Sequence, residues 1–207
     1  MLRFSLLVVF LFLNSCFLGV YKIEANFPDN IKFVNKNLPD SEKITIEDKD
    51  NNLVVELSWV GNSYPIETSK SIVGLTNRFV LPYTRSTSLL KLKISNNSKN
   101  LIELTKEKIK LKRMTDSVEV TPLGIDFFKK KWPTFAVKTQ ENMIDQSVAI
   151  GEIIRTIIRD TEILPDSSYE AYIPFKKLGK EVEAIDITFA LKINNQEKNL
   201  VFNFKKK

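Results

Sequence analysis

Apolar residues at every second position, repeated in separate stretches of the chain, constrain this fold more than any other feature. Near the C-terminus Ile185, Ile187, Phe189, Leu191 and Ile193 alternate with Asp186, Thr188 and Lys192. Successive side chains of a strand point to opposite faces, so this spacing collects the large apolar groups on one side and the polar groups on the other. Asn194-Asn195-Gln196-Glu197 supplies a turn, after which Leu200, Phe202 and Phe204 return the pattern. The expectation is a terminal β-hairpin with one buried and one wet face, as in an antiparallel sheet.

The same signature recurs upstream. Leu53, Val55, Leu57 and Trp59 alternate with Glu56 and Ser58, and Tyr169, Ala171, Ile173 and Phe175 form another set. Leu90, Leu92 and Ile94 are set against Lys91 and Lys93. The polar run Asn96-Asn97-Ser98-Lys99-Asn100 follows, and then Ile109 and Leu111 are opposed by Lys108, Lys110 and Lys112. This predicts a second hairpin, with Leu101–Lys112 returning beside Leu90–Ile94 through a loop of about five residues. Residues 16–40 read as a tether in which Ile31-Lys32-Phe33-Val34 becomes the first strand or lies along the domain.

Between these strand-rich parts, over residues 122–160, the period changes. Met143, Ser147, Ile150, Ile154, Ile157 and Ile158 recur near 3.6 spacing, with Asp145, Glu152, Arg155 and Arg159 elsewhere around the barrel. A helix is expected here, although Gly151 costs it up to about 1 kcal/mol. From Ile153 to Ile158 the β-branched residues fit a strand as well. About seven to nine strands with one helical excursion between them make a mainly β, antiparallel sandwich. The order of these segments resembles the immunoglobulin-like domains of small bacterial lipoproteins, without the Cys–Trp–Cys spacing of antibody domains. The resemblance implies an immunoglobulin-like β-sandwich over residues 41–207.

The leader bears on location. Met1-Leu2-Arg3 is a short positive start and Phe4 to Leu13 is apolar apart from Ser5, the layout of an export signal. Leu13-Asn14-Ser15-Cys16 resembles the lipobox of bacterial lipoproteins: Leu13, Ser15 and Cys16 match, and Asn14 departs by being larger and more polar than the usual occupant. The resemblance implies that residues 1–15 are a signal peptide and that Cys16 is diacylated and becomes the new N-terminus. Two acyl chains suffice for stable membrane anchoring where one does not. By the same resemblance Phe17, not Asp, follows the cysteine, which favours the outer membrane. Two other readings stay open. The run Phe4 to Tyr21 reaches the lower edge of the about 17–25 residues that span a bilayer, and cleavage near Ala25 would leave Cys16 incidental.

Composition removes several chemistries. Cys16 is the only cysteine of the 207 residues and there is no histidine. Ser-His-Asp and Cys-His triads are therefore excluded, as are zinc sites built with histidine. If Cys16 is lipidated, the rest has no disulfide and no thiolate. A hydrophobic share of 43% with 14 Phe indicates a packed core instead. No Gly-rich phosphate loop is present, so no cofactor is expected. Asp48-Lys49-Asp50-Asn51-Asn52 faintly resembles a calcium loop but has Leu53 and Trp59 where that loop needs Gly and Glu; it reads as a turn, and no metal is expected.

The net charge is +6. Lys106, Lys108, Lys110 and Lys112 are expected to share one strand face, followed by Arg113, as a patch for an anionic polymer. The plainer reading is a solvated face whose charges keep an edge strand from associating. No aromatic-plus-basic signature of nucleic-acid binding accompanies it. Phe127, Phe128, Trp132 and Phe135 read as the staple that packs the excursion onto the sandwich, with a membrane-surface wedge as the alternative. Carboxylates alone can run glycoside hydrolysis, but nothing in the sequence singles out a pair. The expectation is a lipid-anchored envelope protein with a binding or structural role and no catalysis. An adhesin for anionic polymers and a carboxylate-dependent hydrolase are the alternatives.

Overall fold

The computed structural model describes residues 31–38, 40–70, 77–131 and 140–207. The leader with Leu13, Ser15 and Cys16, and the side chains of Trp132 and Phe135, lie outside them. The chain runs through β1 (Phe33–Asn35), β2 (Lys43–Asp48), β3 (Leu53–Gly61), β4 (Ile66–Lys70), β5 (Asn77–Val80) and β6 (Thr87–Asn96). Then come β7 (Ile102–Leu104), a 3-10 turn (Lys106–Lys108), β8 (Lys110–Arg113) and β9 (Glu119–Val120). Two helices follow, α1 (Ile125–Lys131) and α2 (Gln140–Thr156), then β10 (Thr161–Ile163), β11 (Ser167–Lys176), β12 (Ala184–Ile193) and β13 (Gln196–Lys206).

The fold is a mainly β, antiparallel sandwich with a helical excursion. One sheet has the order β11-β6-β3-β2. In the other, β1-β13-β12 continues to both β7 and β8, which pair with different ends of β12, and β10 and β9 lie beyond them. β4 and β5 form a separate ribbon. The period-two residues meet between the two main sheets: Leu57, Leu92 and Ile173 from one, Ile187, Phe189 and Phe202 from the other. Phe189 stacks on Phe202 across β12–β13 at 5.2 Å. Phe33 meets Trp59 at 4.7 Å between the sheets, and the Trp59 indole donates to the Ile31 carbonyl at 3.0 Å, so its one polar group is not stranded in the core.

The terminal hairpin forms as expected, and its turn is tighter than the four polar residues suggested. Ile193 pairs with Gln196, leaving only Asn194 and Asn195 in the loop. Both have positive φ, 50° and 63°, as the two-residue turn that matches strand twist requires. Asparagine tolerates this region better than most residues.

The second hairpin does not form. β6 lies between β3 and β11, with Leu92 opposite both Leu57 and Ala171. After Asn96 the chain crosses to the other sheet. Nor is Leu101–Lys112 one strand. Leu104 pairs with Leu191 and Lys110 with Thr188, so Thr105–Ile109 must fit where β12 has only Phe189 and Ala190. The 3-10 turn absorbs the excess, held by the Lys106 amide donating to Asp160 Oδ1 at 2.6 Å.

The helices pack on the outer face of the β6–β11 sheet. A second core forms there from Tyr83, Leu89, Phe128 and Ile153, joined by half-buried Tyr64, Leu123, Ile150 and Tyr172. Phe128 meets Tyr83 edge-on at 5.3 Å and Phe127 at 5.2 Å, which is the stapling arrangement expected of this aromatic pair. The buried face of α2 differs from the expected one. Ala149 and Ile153 are buried, while Met143, Ser147 and Ile154 are exposed. The helix ends at Thr156, because Ile157 and Ile158 join β11: the Ile158 amide donates to the Tyr172 carbonyl at 2.9 Å. Among the described residues no helix is long and apolar enough to cross a membrane.

Candidate binding cleft

Where α2 leaves the sheet, a cleft of about 330 Å³ opens between the helix and the outer faces of β6 and β11. Alternation places Lys91 and Tyr172 opposite each other on that face, with Glu170 two residues along. Tyr64 arrives from the other direction. The register of β3 against β6 shifts between Trp59 and Gly61, and Gly61 has φ of 93°, a conformation that L side chains rarely adopt. The bulge turns the chain out of the sheet and toward the helices.

Three tyrosines form one aromatic group. Tyr64 lies 4.8 Å from Tyr172 and 6.1 Å from Tyr83, and Tyr83 lies 5.8 Å from Tyr172. The hydroxyls of Tyr64 and Tyr83 meet α2. Tyr64 Oη donates to Glu152 Oε1 at 2.6 Å. Thr156 Oγ1 donates to the Glu152 carbonyl at 2.8 Å, which leaves the Tyr83 hydroxyl to donate to Thr156 Oγ1, also at 2.8 Å. Burial raises Tyr64, and the neighbouring Glu152 carboxylate adds to it; burial likewise raises Tyr83. Both phenols therefore stay protonated as fixed donors.

The charges occur as two pairs. Arg155 Nη2 binds Glu152 Oε2 along the helix, and Lys91 Nζ binds Glu170 Oε2 at 2.8 Å on the sheet, with Lys93 Nζ 3.8 Å from Glu170 Oε1. Burial alone would raise the Glu152 carboxyl, but the Tyr64 hydroxyl and the Arg155 guanidinium outweigh it and hold it below the usual range. The Lys91 ammonium does the same for Glu170, against a smaller effect of burial. Both carboxyls are thus ionised acceptors at neutral pH.

The residues singled out by charge lie elsewhere. Lys106 and Lys108 sit in the 3-10 turn, while Lys110, Lys112 and Arg113 are on β8, so they do not share a strand face. Acids meet three of them: Glu197 is 3.1 Å from Lys108, Glu119 is 3.4 Å from Lys110, and Asp116, three residues along, binds Arg113. Lys112 stands opposite Glu119 and Asp186. A second recess of about 200 Å³ beside Lys108 holds the pairs Lys108–Glu197 and Lys192–Glu103 but no aromatic ring. The Asp48–Asn52 segment forms a turn in which Asn51 Nδ2 donates to Asp48 Oδ2 at 2.7 Å. Among the described residues no cluster of acids is arranged to hold a metal ion.

Sequence reasoning missed the cleft. The polar faces of β6 and β11 were legible, but their partners Tyr64 and Glu152 lie far away in the chain and carry no local signal.

No family model matches the chain, and no curated protein does. Among solved structures it is similar to the yjhA protein from Bacillus subtilis, at 9% identity and a TM-score of 0.40, covering 70% of this chain and 76% of that one.

Proposed function

We propose that the protein is a lipid-anchored component of a bacterial cell envelope, with a non-catalytic binding role seated in the cleft between α2 and the β6–β11 sheet. The observation that carries the binding role is the state of the cleft's charged groups. Each carboxylate is already matched by a cation, and the phenols beside them are held protonated. Such groups can fix a ligand by hydrogen bonds.

The anchor reading rests on the leader, with its apolar run and Leu13-Asn14-Ser15-Cys16. Phe17 after the cysteine favours the outer membrane. Lys108, Lys110 and Arg113 each already meet an acid, which favours this reading over an adhesin for anionic polymers.

The test is intact-mass analysis and detergent partitioning of the full-length protein beside Cys16→Ala. The expected result is a mature chain that begins at Cys16, carries acyl mass and enters the detergent phase, with all three lost in the variant. A wild-type chain that begins elsewhere without acyl groups overturns the anchor.

A further inference from the structure

The inference rests on the cleft being the binding site, and it concerns the class of ligand. The four charged groups of the lining cancel: Lys91 with Glu170, and Arg155 with Glu152. An anionic ligand would find no unmatched cation among these four groups, and an apolar one would cover polar groups without satisfying them.

Each pair keeps hydrogen-bonding capacity in reserve. A carboxylate accepts about four hydrogen bonds, an ammonium donates three and a guanidinium five. Glu152 accepts from Tyr64 and Arg155, and Glu170 from Lys91, which leaves lone pairs on both. Lys91 and the largely exposed Arg155 keep N–H groups. The hydroxyl of half-buried Tyr172 meets no hydrogen-bond partner among the described residues, although its ring is held by Tyr64 and Tyr83. The cleft therefore combines spare donors, spare acceptors and aromatic walls, with no net charge among the groups that line it.

We propose that the cleft binds a neutral saccharide, with one sugar ring lying against Tyr172 and its hydroxyls bridging the Lys91–Glu170 and Glu152–Arg155 pairs. A hydroxyl donates and accepts at once, so it uses both kinds of reserve without separating either pair. The C–H face of a sugar ring is apolar and suits the face of a fixed tyrosine. The volume falls at the lower end of the about 300–1,000 Å³ of small-ligand sites, enough for a short oligosaccharide.

The test titrates the full-length protein in detergent with cellobiose, maltose, lactose and chitobiose, and in parallel with polygalacturonate and glycylglycine. At least one neutral disaccharide is expected to bind with Kd of about 1 mM or tighter. A tenfold rise in ionic strength should change that Kd by less than about twofold, because no net charge is matched. Tyr172→Ala should weaken it at least about tenfold, and Glu170→Gln, on an exposed side chain that does not threaten folding, at least about threefold. Lys110→Ala with Lys112→Ala should leave it unchanged. Binding of none of the four sugars overturns the proposal, as does binding that survives both cleft variants. Binding of polygalacturonate or glycylglycine alone overturns it too, while leaving a binding role standing. Release of new reducing ends would instead support the saccharide and overturn the non-catalytic reading.

Discussion

The hydroxyl of Tyr64 donates to Glu152 Oε1 across 2.6 Å, joining the end of β3 to α2 over 88 residues of chain. The bond satisfies a carboxylate whose side chain is 13% exposed, and the same carboxylate holds Arg155 at the cleft mouth. One contact thus helps to seat the helical excursion and to orient the cleft's charged rim.

Tyr64→Phe keeps the ring and deletes only the donor. A hydrogen bond to a charged group contributes about 1.5–3 kcal/mol, and partial exposure places this one near the lower bound. A loss of about 1–2 kcal/mol in urea unfolding is expected. Removing the hydroxyl also removes one of the groups that holds Glu152 down, so its carboxyl should titrate at higher pH by carbon-detected NMR. Strict additivity with Glu152→Gln in a double-mutant cycle would refute the coupling.

The two sheets are clasped at one end by Asp48 of β2 and Lys198 of β13. The Asp48 side chain is only 5% exposed. Burial pushes its carboxyl up, but Lys198 and Asn51 together outweigh burial and hold it below the ordinary value. A carboxyl lowered by folding contributes stability that is complete above its unfolded pKa, about 3.9, and is lost as pH falls through the folded value. Asp48→Asn should therefore cost about 1–3 kcal/mol at pH 7, less than a fully buried pair because Lys198 still reaches water. The gap to wild type should stay level down to about pH 5 and close below pH 4. Unfolding curves at a series of pH values test this; a gap that is equal at pH 7 and pH 3 would contradict the clasp.

The strands with one wet face were readable from the sequence. β3, β12 and β13 keep the two-residue period over most of their length because water reaches their outer faces, and β11 keeps it as far as Tyr172. β6 loses it at Thr87, Ser88, Leu89 and Leu90, all buried, because the helices cover its outer face there. Which strands pair was not readable: Leu92 faces Leu57 and Ala171, and its period is equally compatible with a partner in the next segment. The lysine alternation from Lys106 to Lys112 imitated a strand face, and its neutralising acids, Glu119 and Glu197, come from other strands. Lys91, Glu170 and Tyr172 stood on polar faces in the sequence, but only the fold brings Tyr64 and Glu152 to them.

The failure of the second hairpin traces to Asn96, which is 0% exposed at the corner where the chain leaves one sheet for the other. Its Nδ2 donates to the carbonyls of Asn100 at 2.8 Å, Leu164 at 3.0 Å and Ile163 at 3.1 Å, with two hydrogens shared among three acceptors. Its Oδ1 accepts from the Ser98 amide at 3.1 Å and the Ser98 hydroxyl at 2.7 Å. The side chain thus ties the 96–100 turn to the end of β10, where a hairpin would have carried the chain back along β6. Asn96→Asp conserves shape but sets an ionised carboxylate against three buried carbonyls. It should cost about 3 kcal/mol or more at pH 7, from lost bonds and stranded acceptors. Ser98→Ala, which removes one hydroxyl, should cost about 1 kcal/mol. Burial among carbonyls raises a carboxyl above its unfolded value, and a protonated Asp donates one bond. The deficit of Asn96→Asp should therefore shrink as pH falls from 7 toward 4. An Asn96→Asp protein within about 1 kcal/mol of wild type at pH 7 would mean that the corner is held by backbone pairing alone.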